Sequence, residues 1–356
     1  ADGLLTIRTG EKKGDYYNGV NPYLLNMIAH ILKKNEYFWL VNELDYDFNS
    51  LRLGRSFWYP DDIIINPPKD IVNAILLFPL KYPSIPSDEG FEILSYRSGL
   101  SHLDDFFLID GHNGGGRSSY HVNCIRKLRM FGGKELLSGI NNDIDITCNG
   151  MADSIVARAA ALKEEISFKD ITYLKTEVPD MTNSIWQRNI LYLKETGFIV
   201  LDKIQALKKS EFDILCSWTF PDNQKEISDN SQFIYTKSGT VISFTDQCKI
   251  IKERGNVVQE SLLLPLNEND YHILGNLIYY DQNPDTPSKV LKKTDKNNFL
   301  VEGNERGLIC TGDFNSDRFS FSSKFGFIDE EKIFLVNSKK IFFTAGVNVS
   351  SDVPVS

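Results

Sequence analysis

Cysteine is scarce in this chain, and its placement offers no framework. The five cysteines, Cys124, Cys148, Cys216, Cys248 and Cys310, are widely spaced, odd in number and never arranged as Cys-x-x-Cys. That argues against a disulfide scaffold and against a zinc knuckle, and leaves buried free thiols as the expectation. Long apolar runs are missing too. A membrane-spanning helix needs about 18 or more apolar residues in a row. The longest run here, residues 74–80 (AILLFPL), is far shorter and contains Pro79, so no membrane span is expected. The opening residues ADGLLTIRTG have no basic start and no apolar core, so they do not read as a signal peptide. Positive charge is in deficit. Lys and Arg number 39 against 48 Asp and Glu, for a formal net charge of -9. Affinity for polyanions comes from neutralising their charges, so non-specific nucleic-acid binding is not expected. An acidic polysaccharide would likewise need a local basic patch. Repeats of fixed period and low-complexity tracts are also lacking.

What is present is ordinary globular composition, 42% hydrophobic and 24% charged. A length of 356 residues suggests about two domains at roughly 150 residues each. Residues 1–83 read as a helical segment. In NPYLLNMIAHILKKN, Asn21 suits the N-cap and Pro22 the first helical position. Leu24, Leu25, Ile28, Ile31 and Leu32 then fall on one stripe at helical spacing. Lys33 and Lys34 suit the C-terminal end of the helix dipole. A second short helix is expected over residues 36–44 (EYFWLVNEL). The proline-rich stretch at 82–90 (YPSIPSDEG) reads as the boundary.

Residues 84–356 read differently. Short aromatic and β-branched runs recur between Gly, Asn, Asp and Ser turns, as in DDFFLIDG, FDILCSWTF and YHILGNLIYY. ETGFIVLD and TKSGTVISF look like hairpin material. The expectation is a large antiparallel β-sandwich. Residues 152–166 (ADSIVARAAALKEEI) conflict with it, because alanine favours helix. A strand fits the region better, since tertiary context overrides propensity.

One loop stands apart. Residues 111–123, GHNGGGRSSYHVN, hold four glycines, two histidines, an arginine, two serines and a tyrosine. The stretch YRSGLSHLDDFFLIDGHNGGGRSSYHVNCI and the later VPDMTNSIWQRNILYLKETGFIVLDKIQA resemble the β-domain of heparinase II/III-like polysaccharide lyases. In the second segment Trp186, Arg188, the apolar strand and Asp202 follow the family's pattern. YHILGNLIYY looks like a strand near the end of that sandwich. GDYYNGVNPYLLNMIAHIL looks like the last helices of the family's α/α toroid. The resemblance implies a short helical part followed by a multi-stranded supersandwich, preceded in relatives by further helices.

It also implies a chemistry. Such lyases cut uronic-acid polysaccharides by β-elimination. A base removes the proton beside the carboxylate, a donor neutralises that carboxylate, and an acid protonates the leaving oxygen. Tyr and His do the acid and base work in this family, and Asn, His or Arg polarise the carboxylate. The family's β-domain often holds a metal through His and Asp. The relatives' loop continues as Gly-Gly-His-Ser-His-x-Asp-x-Asn. Here Arg117, Ser119 and His121 stand at the two histidine positions and the aspartate position, and only the glycines, Ser118 and Asn123 remain. An aspartate expected on the next strand is Ser138, and GINNDIDITCNG lacks an expected histidine. No metal or other cofactor is therefore expected.

The candidate catalytic residues are His121, Tyr120, His112 and Tyr17; the candidate substrate-binding residues are Arg117, Asn123, Trp186 and Arg188. Each has a plainer reading. Tyr16 and Tyr17 also suit packing at a domain junction, and His112 suits a simple turn. Tyr120 and His121 are neighbours that point to opposite faces if extended. Trp186 and Arg188 share one face of their strand, where they suit either sugar binding or structural packing. Asn276 reads as a strand residue and Asn149 as a turn residue. In RKLR, residues 126–129, Arg126 and Lys127 face opposite sides unless the strand is bulged. The function expected is that of a heparinase II/III-like protein acting on or binding a uronic-acid polysaccharide, by β-elimination if it is catalytic. The alternative is a non-catalytic β-sandwich module that binds glycan or scaffolds a partner. Periplasmic or secreted location is what the resemblance implies.

Overall fold

The structure is a computed structural model that describes residues 75–77 and most of 85–343; the longest stretches outside the description within that span are 112–121 and 152–158. The helices expected over 21–34 and 36–44 lie outside the described residues. Among the described residues every regular element is a strand, and every strand pairing is antiparallel.

The first sheet follows chain order through β1 (Ile75–Leu77), β2 (Phe91–Arg97), β3 (Phe106–Asp110), β4 (Cys124–Met130) and β5 (Lys134–Ser138). β6 (Ile144–Cys148) leaves it for a four-stranded sheet. β7 (Ala161–Phe168), β8 (Ile171–Val178), β9 (Ser184–Leu193) and β10 (Gly197–Ala206) form a meander inside an eight-stranded sheet. β11 (Ser210–Thr219) crosses over to pair with β6. β12 (Lys225–Ile227), β13 (Phe233–Thr236) and β14 (Thr240–Phe244) return to the large sheet. β15 (Lys249–Lys252) and β16 (Val257–Leu266) join β11, and β17 (Tyr271–Tyr280) inserts between β14 and β10. β18 (Val290–Lys293), β19 (Asn298–Glu302) and β20 (Gly307–Cys310) begin a five-stranded sheet. β21 (Phe314–Asn315) and β22 (Phe319–Ser322) interrupt it, before β23 (Phe325–Ile328) and β24 (Ile333–Val336) complete it. β25 (Lys340–Phe343) then pairs with β22.

The eight-stranded sheet is the middle layer, with apolar residues on both faces. Trp186, Phe198, Val200 and Ile278 pack with Leu94, Phe107 and Leu128 of the first sheet and with Ile214 and Trp218 of the four-stranded sheet. Tyr173, Leu191, Ile199 and Leu201 pack on the other side with Phe299, Ile309 and Phe327 of the five-stranded sheet. This explains GFIVLD, whose apolar run does not alternate. A strand covered on both faces has no solvent side to mark with polar residues. ETGFIVLD and TKSGTVISF do form the β9–β10 and β13–β14 hairpins.

Two expectations change at the margins. Residues 75–77, placed in the helical segment, are β1 and pair with β2 across the expected boundary. Pro79 disfavours helix just before itself, and a short apolar run can pair with an open strand edge instead. In the alanine-rich segment, residues 161–168 are strand β7, while 152–158 lie outside the described residues. The described cysteines, Cys124, Cys148, Cys216 and Cys310, are buried free thiols.

Phe198 tests the dependence on the shared core. Its ring is fully buried, 5.5 Å edge-on from Phe107 and 5.2 Å from Tyr192. Phe198→Ala is expected to cost about 3–5 kcal/mol through lost transfer energy and the cavity left behind. Urea denaturation followed by tryptophan fluorescence measures it; an unchanged midpoint would contradict the two-sided core.

Candidate functional site

The glycine loop leaves the end of β3 and re-enters the sheet at β4. His112, Arg117, Tyr120 and His121 lie outside the described residues, as does Tyr17. The frame that holds both ends of the loop is described in full.

On the incoming side Asp110 closes β3 and is 4% exposed. Arg126 donates to its Oδ2 from Nε at 2.8 Å and from Nη2 at 2.6 Å. Arg126 can reach because β4 is bulged there. The register passes from Leu108 opposite Lys127 to Ile109 opposite Ile125, leaving Arg126 as the extra residue. The bulge also breaks the alternation of RKLR: Arg126 and Lys127 are both half-buried, between buried Ile125 and Leu128. Gly111 follows Asp110. A Cβ there would lie 2.5 Å from the Phe91 carbonyl oxygen and 2.4 Å from its ring, so glycine alone fits this approach. The Ala160 amide donates to the Gly111 carbonyl at 2.6 Å.

On the outgoing side Asn123 is fully buried in the left-handed region, at φ 56°. Asparagine tolerates that conformation better than most residues. Its Oδ1 accepts from Thr176 Oγ1 at 2.7 Å, and its carbonyl accepts from Arg188 Nη1 at 2.8 Å. The same Nη1 donates to the Asn142 carbonyl at 2.9 Å. Arg188 Nε and Nη2 form a fork onto Asp202, at 2.8 Å to Oδ1 and 3.0 Å to Oδ2. Trp186 Nε1 shares Asp202 Oδ1 at 2.7 Å, and the guanidinium sits 4.9 Å from the Trp186 ring centroid. Asn142 extends the network, donating to the Ile125 carbonyl at 2.8 Å and accepting from the Thr219 amide at 2.5 Å. One arginine thus joins the eight-stranded sheet to the loop's end, and through Asn142 to the four-stranded sheet.

The register explains why these groups meet. Thr176, Arg188 and Asp202 lie side by side across β8, β9 and β10. All three therefore project from one face. Burial alone would lower the Arg188 pKa; the field and hydrogen bonds of Asp202 outweigh it and hold the guanidinium above its ordinary value. Cys124, the next residue after Asn123, goes the other way. Burial, reinforced by the Asp143 carboxylate, pushes its thiol up to about 12, which rules it out as a nucleophile near neutrality.

Three of the expected substrate contacts are enclosed in this geometry. Asn123, Trp186 and Arg188 are each fully buried. Asn123 Oδ1, Trp186 Nε1 and the Arg188 guanidinium meet Thr176, Asp202 and backbone carbonyls, while Asn123 Nδ2 is buried with no hydrogen-bond partner. In this conformation Arg188 holds Asn123, where the chain enters β4. Asn142 and Thr176 escaped the sequence reading. An Asn-Asn-Asp ahead of a strand signals a turn, but no local pattern says which sheets that turn will join. Asn149 is a turn residue at φ 51° and Asn276 a buried strand residue.

The family's metal site was expected to be lost from this chain, and its loop positions, Arg117, Ser119 and His121, lie outside the described residues. Ser138 occupies the aspartate position, and the register places Lys127 opposite it. The Lys127 ammonium itself pairs with Glu135, 3.4 Å from Oε2. Among the described residues no group of three or more His, Cys, Asp or Glu side chains is placed to hold a metal ion.

Two outcomes follow. Arg188→Met leaves Asp202 as an unpaired buried carboxylate and should cost about 3–5 kcal/mol. The double variant Arg188→Met, Asp202→Leu should recover much of that loss, because no buried charge remains unpaired. Chemical denaturation of the three proteins decides it, and a double variant no better than the single would refute the account. In the folded protein Cys124 should resist iodoacetamide at about pH 8 and react once urea unfolds the chain. Mass spectrometry of the Cys124 peptide reads this, and rapid labelling without denaturant would contradict it.

Comparison with known proteins places this architecture. No family model matches the chain, and no curated protein sequence matches it. Solved structures do. A heparan sulfate lyase HepC mutant from Pedobacter heparinus superposes at a TM-score of 0.56 with 12% identity, over 90% of this chain and 48% of that one. A heparinase III superposes at 0.57 with 12% identity, over 91% of this chain and 47% of that one. The chain thus spans about half the length of these structures. At this identity the likeness concerns fold alone: the chain has a heparinase III-like architecture in which the described part is an antiparallel, layered β-sandwich.

Proposed function

We propose that this chain engages uronic-acid polysaccharide in the manner of a polysaccharide lyase, with the loop at 111–123 as its working part and β-elimination as its chemistry. The observation that carries the reading is the support given to that loop. Both its ends are anchored by buried charged groups on rigid strands, in a fold shared with heparan sulfate lyase and heparinase III. Reacting groups must be held within about half an ångström of their productive positions, and anchored loop ends serve that need.

In this reading Arg117 takes the uronate carboxylate bidentately and spreads the charge that develops when the adjacent carbon loses its proton. His121 or Tyr120 accepts that proton. The electron pair left on carbon forms the new double bond as the bond to the leaving oxygen breaks. His112 or Tyr17 donates a proton to that oxygen. Asn123, Trp186 and Arg188 act indirectly, by fixing where the loop re-enters the sheet. No step passes through a metal. The substrate lies outside the cytoplasm, and we place the protein in the periplasm or beyond the cell.

A second reading is a glycan-binding or scaffolding module without catalysis. It is favoured by Arg117, Ser119 and His121 standing where relatives have histidines and an aspartate, and by Ser138 facing Lys127.

Ultraviolet absorbance of unsaturated uronate products separates the two. The purified chain is incubated with heparin, heparan sulfate, chondroitin, hyaluronan and alginate. A lyase gives rising absorbance on at least one of them. Arg117→Ala or His121→Ala should then slow it by about 10²–10⁴-fold while the fold is kept. A flat trace on every glycan sinks the lyase reading and leaves the binding module.

A further inference from the structure

The far end of β4 carries a second feature, about 20 Å along the strand from the glycine loop at the usual rise per residue. Phe131, Gly132 and Gly133 make the β4–β5 turn, and all three sit at positive φ, of 54°, 73° and 87°. Glycine adopts that conformation freely, whereas a phenylalanine there is a genuine outlier. The Phe131 ring is half-buried and packs against both apolar cores, which holds the turn in this conformation.

Phe131 faces a partner ring. Its centroid lies 6.2 Å from that of Tyr280, tilted by 39°. Both rings are half-buried, and both line an open cleft of about 640 Å³ with Lys134, Asp281, Gln282 and Asn283. The cleft is shallow and open to solvent, and its lining is more polar than apolar.

The lining is organised before any ligand arrives. Tyr280 is seated against Gly239, where a Cβ would come within 2.4 Å of its ring. Asp281 accepts from the Asn283 amide at 3.0 Å and the Ser288 amide at 2.9 Å, and its own amide donates to the Gly239 carbonyl at 2.7 Å. Burial would raise the Asp281 pKa, but these hydrogen bonds outweigh it and keep the carboxylate ionised as an acceptor. The Phe131 amide donates to Asp105 Oδ1 at 3.2 Å, and Asp105 Oδ2 accepts from the buried Tyr192 hydroxyl at 2.6 Å. The turn is thus tied to the middle sheet. Lys134 is exposed, with its ammonium 5.4 Å from the Tyr280 ring centroid.

We infer that this cleft is a saccharide-binding subsite for an acidic sugar unit, distinct from the 111–123 loop. The rings of Phe131 and Tyr280 offer apolar surface to the C–H face of a pyranose. Asp281, Gln282 and Asn283 meet its hydroxyls, and Lys134 meets its carboxylate or sulfate. The inference rests on the polysaccharide reading and adds a second hold on the same substrate class. A polymer held at two points gains effective concentration at each.

Isothermal titration with a heparan sulfate hexasaccharide tests it, with maltohexaose as the neutral control. Lys134→Glu and Phe131→Ala should each weaken hexasaccharide binding by about tenfold or more. Lys134→Arg should hold it near the wild-type value, since the charge is kept. Thermal melts confirm that each variant is folded. Three results would overturn the subsite: no binding by the wild-type chain, equal binding by Lys134→Glu and Phe131→Ala, or equal affinity for maltohexaose. Product absorbance in the same samples keeps the two ideas apart. Variant-sensitive binding without product sinks only the lyase reading. Product formation with binding indifferent to both variants sinks only the subsite.

Discussion

The pairing of Arg188 with Asp202 is the interaction on which the surrounding architecture depends. Both side chains are wholly enclosed. A charge in that position is tolerable only if opposite charge and hydrogen bonds replace the lost water. Asp202 supplies the charge. The carbonyls of Asn123 and Asn142 take both hydrogens of Nη1. The requirement therefore runs outward. For the arginine to be satisfied, the start of β4 and the link before β6 must both come to it. Two segments from outside the eight-stranded sheet are positioned by the needs of one buried cation.

That constraint fits the sheet carrying it. β9 and β10 lie in the middle of the molecule and are covered from both sides. A strand so placed can hold an ion pair rigidly, because its neighbours leave no room for other rotamers. The opposite face is apolar from Tyr173 through Leu201 and carries the five-stranded sheet, with Tyr173 stacked on Phe325 at 4.2 Å. Stability comes mainly from these two apolar cores. The polar network between the sheets adds specificity of position. Asn123, at the outgoing end of the 111–123 loop, borrows that rigidity, and Arg126 holds Asp110 at the incoming end.

Much of the architecture was legible in the chain. Runs such as FDILCSWTF and YHILGNLIYY, set between turn residues, marked β11 and β17 because strand periodicity and turn chemistry are local properties. The similarity of Trp186, Arg188 and Asp202 to a family pattern was also visible. Their depth was not. Trp186 and Arg188 read better as packing than as a sugar platform, yet a shared strand face says nothing of what lies above it. The bulge at Arg126 and the left-handed Phe131 were likewise hidden, since each depends on how neighbouring strands register.

The sequence by itself determined an antiparallel β protein, acidic overall, without a cysteine framework and with a glycine-rich loop between two strands. Those properties follow from composition and from patterns a few residues long. Only the tertiary structure decided that Asn123 and Arg188 are internal supports, that Arg126 turns back to Asp110, and that Phe131 and Tyr280 share a cleft. Burial and pairing are set by contacts between segments far apart in the chain. Asn123 and Arg188 meet across 65 positions, and no local pattern specifies such a meeting.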